Sequence, residues 1–167
     1  SWYGRVLVER VEKLATAEEW QRAYDEIKAF EEEIVERGIM LCKFWLHIDR
    51  DEQLSRFKAR EKTPYKKYKL TEEDYRNRER WGDYEDAVNE MVALTSVGEA
   101  PWTLVPANNK RYARVEVLKT VCDALEQSIG TGGIAGQTPE NRHAAFSLKT
   151  HLLQLADRSD FPAGFHR

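Results

Sequence analysis

Long hydrophobic runs are missing from this chain: no stretch approaches the roughly 18 apolar residues that span a bilayer. No charged and then apolar leader with a cleavage site opens it either. Both absences lead to the expectation of a cytoplasmic protein with no membrane partner. Cysteine is scarce. Cys42 and Cys122 sit inside apolar periodic segments, where a reduced, buried thiol is expected and neither a disulfide nor a metal site is indicated. His47, His143, His151 and His166 lack the i, i+4 spacing of metal-binding histidines and have no Cys or Asp partner in a recognisable pattern, so no protein-held metal is expected. The phosphate-cradling pattern G-x-x-x-x-G-K-[ST] occurs nowhere, which by itself argues against phosphoryl transfer. An excess of positive charge is also absent: 26 Lys and Arg stand against 29 Asp and Glu, a net charge of -3. That balance argues against a nucleic-acid-coating protein, which needs a basic face over the whole domain, and leaves room for a small polyanion held at one place.

What is present is an ordinary globular composition, 41% apolar and 33% charged over 167 residues, about one domain. Thr16-Ala-Glu-Glu19 has the form of a capping box, and Trp20, Ala23, Ile27, Phe30 and Ile34 recur at helical spacing, predicting a long helix stopped by Gly38. Ile39 to Ile48, apolar except for Lys43 and His47, reads as a buried strand of a parallel sheet. Asp49 offers a cap to a short helix that Thr63-Pro64 ends. Thr71 caps a further helix whose inner face continues through Tyr84, Val88, Met91 and Thr95. Pro101 to Ala107 is a second strand, and Val115, Leu118, Cys122, Leu125 and Ile129 mark a last helix ended by Gly130.

This order predicts a layered α/β domain, because parallel strands need helical crossovers. Two strands do not complete such a sheet, so further strands are expected upstream or from another chain. Residues 131–167 differ in character. Gly130 to Ala135 formally fits a dinucleotide fingerprint, yet it follows a helix rather than a strand, so it reads as a linker. Thr138-Pro139-Glu140 then starts an accessory helix carrying Ala145, Leu148, Leu152 and Leu155.

The most unusual stretch is RFKAREKTPYKKYKLTEED. Between Arg56 and Lys69 it places Arg56, Lys58, Arg60, Lys62, Lys66, Lys67 and Lys69 against a single acid, Glu61. A charge run is often only a solvated helix face. Here Arg56 and Arg60 lie four apart on one helical face, so two guanidinium forks can converge on one phosphate group or chain. Lys66 and Lys67 follow a proline break in a segment expected to move, as basic segments that fold over phosphates do.

Four motifs in order, SWYGRVLVERVE at 1–12, KFWLHID at 43–49, RFKAREKTPYKKYKLTEEDYRNRERW at 56–81 and APWTLVPANNKRYAR at 100–114, make the chain resemble the polyphosphate kinase 2 family. The similarity is greatest to the C-terminal catalytic module of the family's two-module members, which use AMP as acceptor. The resemblance implies a P-loop-kinase-like α/β fold, a parallel sheet with helices on both faces and a helical lid. Residues 1–130 would be the C-terminal part of that domain, with the lid over 50–80, and residues 131–167 the linker and accessory helix. It further implies phosphoryl transfer between inorganic polyphosphate and a nucleotide, AMP to ADP being favoured and ADP to ATP also within reach. Mg2+ would bridge the phosphates, and assembly into a homo-oligomer that binds no nucleic acid is expected. Carried onto this sequence, Arg56 and Arg60 would be catalytic, and Lys58, Lys66 and Lys67 would grip polyphosphate. Tyr3, Arg5, Glu9, Arg10, Asn108, Asn109 and Lys110 would border the nucleotide.

In the family the SWY motif follows a strand with an Asp-Arg pair, and a glycine-rich phosphate loop precedes that strand. The 167 residues hold neither, so these residues alone are expected not to turn over. The alternative is a non-catalytic module that binds a polyanion.

Overall fold

A computed structural model describes residues 1–96, 98 and 100–130 of the chain. The linker and accessory helix expected over 131–167 lie outside the described residues. Two compact units share the chain, one formed by Ser1–Arg37 with Ile48–Trp102, the other by Gly38–His47 with the described residues from Thr103 onward.

In the first unit, Trp2–Gly4 forms a single 3-10 turn and Arg5–Glu9 a π-helical turn, a form seen mostly as single turns. Helix α1 spans Ala17–Glu36. Its capping box closes as the sequence predicts: the Glu19 amide donates to the Thr16 hydroxyl at 3.3 Å, and the Glu19 carboxylate accepts from the Thr16 amide at 2.8 Å. Gly38, at φ 78°, turns the chain away just past its end. The Arg5–Glu9 turn packs against α1 and against α4 (Trp81–Thr95), and these two helices also pack on each other. Val6 and Met91 are fully excluded from solvent at that junction, with Ala23, Tyr24, Ile27, Ala87 and Val88 around them.

The buried stripe of α1 is Ala23, Tyr24, Ile27 and Glu31. Phe30, expected inside, is 44% exposed and instead meets Trp2 edge-on at 5.2 Å. An apolar-only pattern passes over Glu31, a carboxylate that can be buried because Tyr3 and Trp2 donate to it.

The basic stretch forms helix α2 (Arg50–Glu61), a 3-10 turn (Pro64–Lys69) and helix α3 (Glu72–Glu79). Asp49 caps α2, accepting from the Glu52 amide at 2.7 Å. One helix was expected from Thr71 through Thr95. The structure has two, α3 and α4, parted at Arg80, whose φ of -92° and ψ of 28° leave the helical basin. The cause is distant in sequence: the Arg80 guanidinium donates to the Val11 carbonyl at 2.6 Å and lies 3.6 Å from the Glu12 carboxylate. Arg76 pairs with the other oxygen of Glu12 at 3.0 Å. Arg78 donates to the Arg50 carbonyl and, at 3.3 Å, to the Gln53 side chain, which ties the start of α2 to α3.

In the second unit, β1 (Lys43–His47) and β2 (Trp102–Pro106) form a parallel two-stranded sheet. The Ala107 amide donates to the His47 carbonyl at 2.6 Å, so the strands end side by side. β1 is shorter than the run Ile39 to Ile48, since a strand extends only as far as it has a ladder partner; Ile39 and Met40 are exposed. Within the sheet, Lys43 and Val105 are buried while Leu46 and Leu104 are more than half exposed, at 54% and 57%. Helix α5 (Lys110–Gly130) follows β2 and buries Ala113 and Cys122. Among the described residues no helix is long and apolar enough to cross a membrane.

Two outcomes follow for the first unit. Met91→Ala, at a fully enclosed site, is expected to lower unfolding free energy by about 2–5 kcal/mol, whereas Leu94→Ala, on the open side of α4, stays within about 0.5 kcal/mol. Urea unfolding of the two variants compares them. Arg80→Ala releases the Val11 carbonyl and one contact to Glu12, so amide exchange in α3 is expected to speed up by about tenfold, with α1 amides unchanged.

Candidate functional site

Helix α2 carries the first part of the basic stretch. Its inward residue is Phe57, buried and packed edge-on against Tyr75 of α3 at 5.3 Å. With Phe57 fixed, Arg56 and Arg60 flank it on the same side of the helix, the arrangement their i, i+4 spacing implies. Arg56 is four-fifths covered and its Nε donates to Glu52 at 2.7 Å, an intrahelical pair that holds the fork against the helix. The Arg60 guanidinium lies 6.0 Å from the Phe57 ring centre. Lys58 is exposed. Glu61, the one acid in the run, is engaged: the Tyr75 hydroxyl donates to it at 2.5 Å, and that hydrogen bond raises the Tyr75 pKa.

Past Pro64 the 3-10 turn intersperses lysines with two tyrosines. The Lys66 ammonium sits 5.3 Å from the Tyr65 ring centre and that of Lys69 5.7 Å from the Tyr68 ring. Lys67 belongs to the same turn. The stretch from Arg56 to Lys69 therefore presents guanidinium and ammonium groups with its only carboxylate turned to a hydroxyl.

The four N-terminal candidates divide. Arg5 and Glu9, paired at 3.3 Å, line a cleft of about 300 Å³ together with Trp2, Glu26, Ile27 and Phe30. Tyr3 and Arg10 point elsewhere. Tyr3 is buried and its hydroxyl donates to Glu31 at 2.5 Å; burial first, and the neighbouring carboxylate second, hold its pKa far above the usual tyrosine value. Arg10 lies 4.0 Å over the Trp20 ring, donates to the Tyr24 hydroxyl at 3.1 Å and pairs with Glu90 at 2.8 Å. Both are tied into the packing between helices.

In the second unit, Asn108, Asn109 and Lys110 are exposed where β2 hands over to α5, the carboxyl end of a parallel strand where α/β proteins place ligands. The Asn109 side-chain oxygen is committed: it accepts from the amides of Arg111 and Tyr112 at 3.0 and 3.2 Å and so caps α5.

Among the described residues no three His, Cys, Asp or Glu side chains converge as a metal site. Cys122 is buried, and Cys42 is half-buried with its thiol pKa raised by that burial. The residues that sequence reasoning passed over are Arg76, Arg78 and Arg80. Arg76 and Arg80, four apart, share a side and meet on Glu12, while Arg78 between them reaches the Arg50 carbonyl and the Gln53 side chain; that i, i+2, i+4 spacing is the signal for two sets of partners.

The family profile described as polyphosphate kinase 2 (PPK2) matches residues 1–130. Over 126 residues the chain is 61% identical to a polyphosphate:AMP phosphotransferase of Pseudomonas aeruginosa, covering 75% of this chain and 25% of that protein. It is 42% identical over 118 residues to an ADP-polyphosphate phosphotransferase of Rhizobium meliloti, covering 71% of this chain and 39% of the relative. A crystal structure of a polyphosphate kinase 2 from Pseudomonas aeruginosa superposes with a TM-score of 0.76 at 59% identity, over 78% of this chain and 28% of that one. The chain thus spans about a quarter of the length of the first of these relatives. Its α/β order, its paired parallel strands and its motifs from Ser1 to Arg114 have one common explanation: the chain belongs to the polyphosphate kinase 2 family.

Proposed function

We propose that the protein transfers a phosphoryl group between inorganic polyphosphate and a nucleotide, with AMP the favoured acceptor and ADP the product, and that residues 50–80 act as its lid. One observation carries this reading: a basic face from Arg56 to Lys69, positioned by buried Phe57 and tied down through Arg76, Arg78 and Arg80, whose single acid is taken up by Tyr75. The name of the 61%-identical relative supports AMP. Residues 1–130 form the family domain in this proposal and 131–167 an appended segment. Work in the cytoplasm as a homo-oligomer belongs to the same proposal.

The chemistry asks little covalent work of the protein. The transferring group carries charge on its oxygens, and stabilising that charge while excluding water lowers the barrier. Arg56 and Arg60 supply planar forks to the transferring group, and Lys58, Lys66 and Lys67 supply point charges along the polyphosphate chain. Arg5 and Glu9 border the cleft of the first unit, and Asn108 and Lys110 meet the nucleotide from the end of β2. Mg2+ is the proposed divalent cation, compensating phosphate charge when bound. The described residues do not assemble ligands for it.

Arg56→Ala and Arg60→Ala, each made in the full-length protein, are expected to lower turnover by about a hundredfold or more with the fold retained; ADP formation from AMP and polyphosphate measures it, and wild-type rates in both variants would remove the pair from the site. Polyphosphate binding by the chain is expected to weaken steeply between about 50 and 200 mM salt, because each cation that meets a phosphate displaces a counterion. Lys66→Glu with Lys67→Glu should weaken it further and flatten its salt dependence. Affinity indifferent to both changes would reduce the basic run to a solvated face.

A further inference from the structure

Tyr65 and Tyr68 are the least covered aromatic rings among the described residues, 68% and 75% exposed, and the reading above gives them no role. Both lie in the Pro64–Lys69 turn. A 3-10 helix has three residues per turn, so side chains at i and i+3 eclipse. Tyr65 therefore stands in line with Tyr68, and Lys66 in line with Lys69, each pair separated by about 6 Å along the turn axis. Each ring has the ammonium of the following lysine as its neighbour, at 5.3 and 5.7 Å. Tyr75 offers the contrast within the same segment: its ring packs on Phe57 and its hydroxyl is bonded to Glu61, so it has a structural occupation. Tyr65 and Tyr68 instead form a ladder of two open rings beside a ladder of two cations.

That pairing matches one ligand chemistry, a nucleobase joined to phosphate. Aromatic rings stack on bases whatever their sequence, and adjacent lysines take the phosphate attached to them. Polyphosphate alone has no planar group to use the rings. We propose that Tyr65 and Tyr68 form a base-stacking platform for the acceptor nucleotide, with Lys69 beside it for the nucleotide's phosphate. The proposal rests on the phosphotransferase reading for the identity of the ligand, and a single-stranded nucleic acid presents the same chemistry.

The test titrates the full chain by calorimetry with AMP, ribose 5-phosphate, tripolyphosphate and a short oligoadenylate, and follows the purine absorbance that stacking diminishes. Variants are Tyr65→Leu, Tyr68→Leu and the ring-preserving Tyr65→Phe and Tyr68→Phe; both positions are exposed, so the fold is expected to survive. Loss of about tenfold in AMP affinity for each Leu variant, with affinity kept in the Phe variants and with tripolyphosphate and ribose 5-phosphate indifferent to all four, supports the platform. AMP binding no tighter than ribose 5-phosphate, or unchanged in the Leu variants, overturns it. Tripolyphosphate failing to bind while AMP still stacks would count against the phosphotransferase reading and for the platform. Oligoadenylate binding far more tightly than AMP through the same rings would overturn the assignment to an acceptor nucleotide.

Discussion

A buried carboxylate organises the first unit. Glu31 is only 4% exposed, and such a group is tolerable only when donors surround it. The Tyr3 hydroxyl and the Trp2 indole N–H meet it from the N-terminal turn. Tyr3 then packs edge-on against Trp102 at 4.9 Å, and the Trp102 indole donates to Thr95 at 2.8 Å. Two hydrogen bonds to one carboxylate oxygen thereby fix the register of the N-terminal turn on α1, and the aromatic contacts extend the constraint to the end of α4 and to Trp102, the last residue of this unit. The Arg5–Glu9 turn can pack its Val6 between α1 and α4 because that register is set.

A second constraint is electrostatic. Gathering lysines and arginines over fourteen residues of an acidic protein raises mutual repulsion, and the segment offsets it locally. Glu52 holds Arg56 from within its own helix, and the acid-rich first turn of α3 lies just beyond the lysines. Arg76 and Arg80 converge on Glu12, whose side chain is only 12% exposed, so part of the attachment of α3 to the unit is itself an ion-pair cluster. Lys66 and Lys69 on the 3-10 turn lie beside tyrosine rings, where a polyanion can meet them.

Much of this was legible in the chain before any coordinates. The caps at Thr16 and Asp49, the stop at Gly38, the break at Pro64 and the two strands all follow from local rules, since each depends on residues within four positions. The chain's motifs also named the family, which the comparisons show. Three features were not legible because they are long-range. The buried Glu31 depends on donors nearly thirty residues earlier in the chain. The parting of α3 from α4 depends on a carbonyl at Val11. The length of β1 depends on how many residues β2 offers it. For the site, the four-residue spacing of Arg56 and Arg60 foretold a shared face, but nothing local distinguished Arg5 and Glu9, which line a cleft, from Tyr3, which is buried, and Arg10, which is engaged by Trp20, Tyr24 and Glu90.

The cap at Asn109 also sets what can be recognised beside it. Because its carbonyl oxygen is spent on the amides of Arg111 and Tyr112, the side chain shows only its NH2 group outward. The position has thereby become one-directional: it can give protons and cannot take them. A group that docks there must present a lone pair, such as a ring nitrogen, a carbonyl or a phosphate oxygen, and an exocyclic amine in the same place would meet another donor. The requirement to start α5 correctly thus imposes a polarity on the neighbouring surface, and any ligand at the end of β2 has to be read in that orientation.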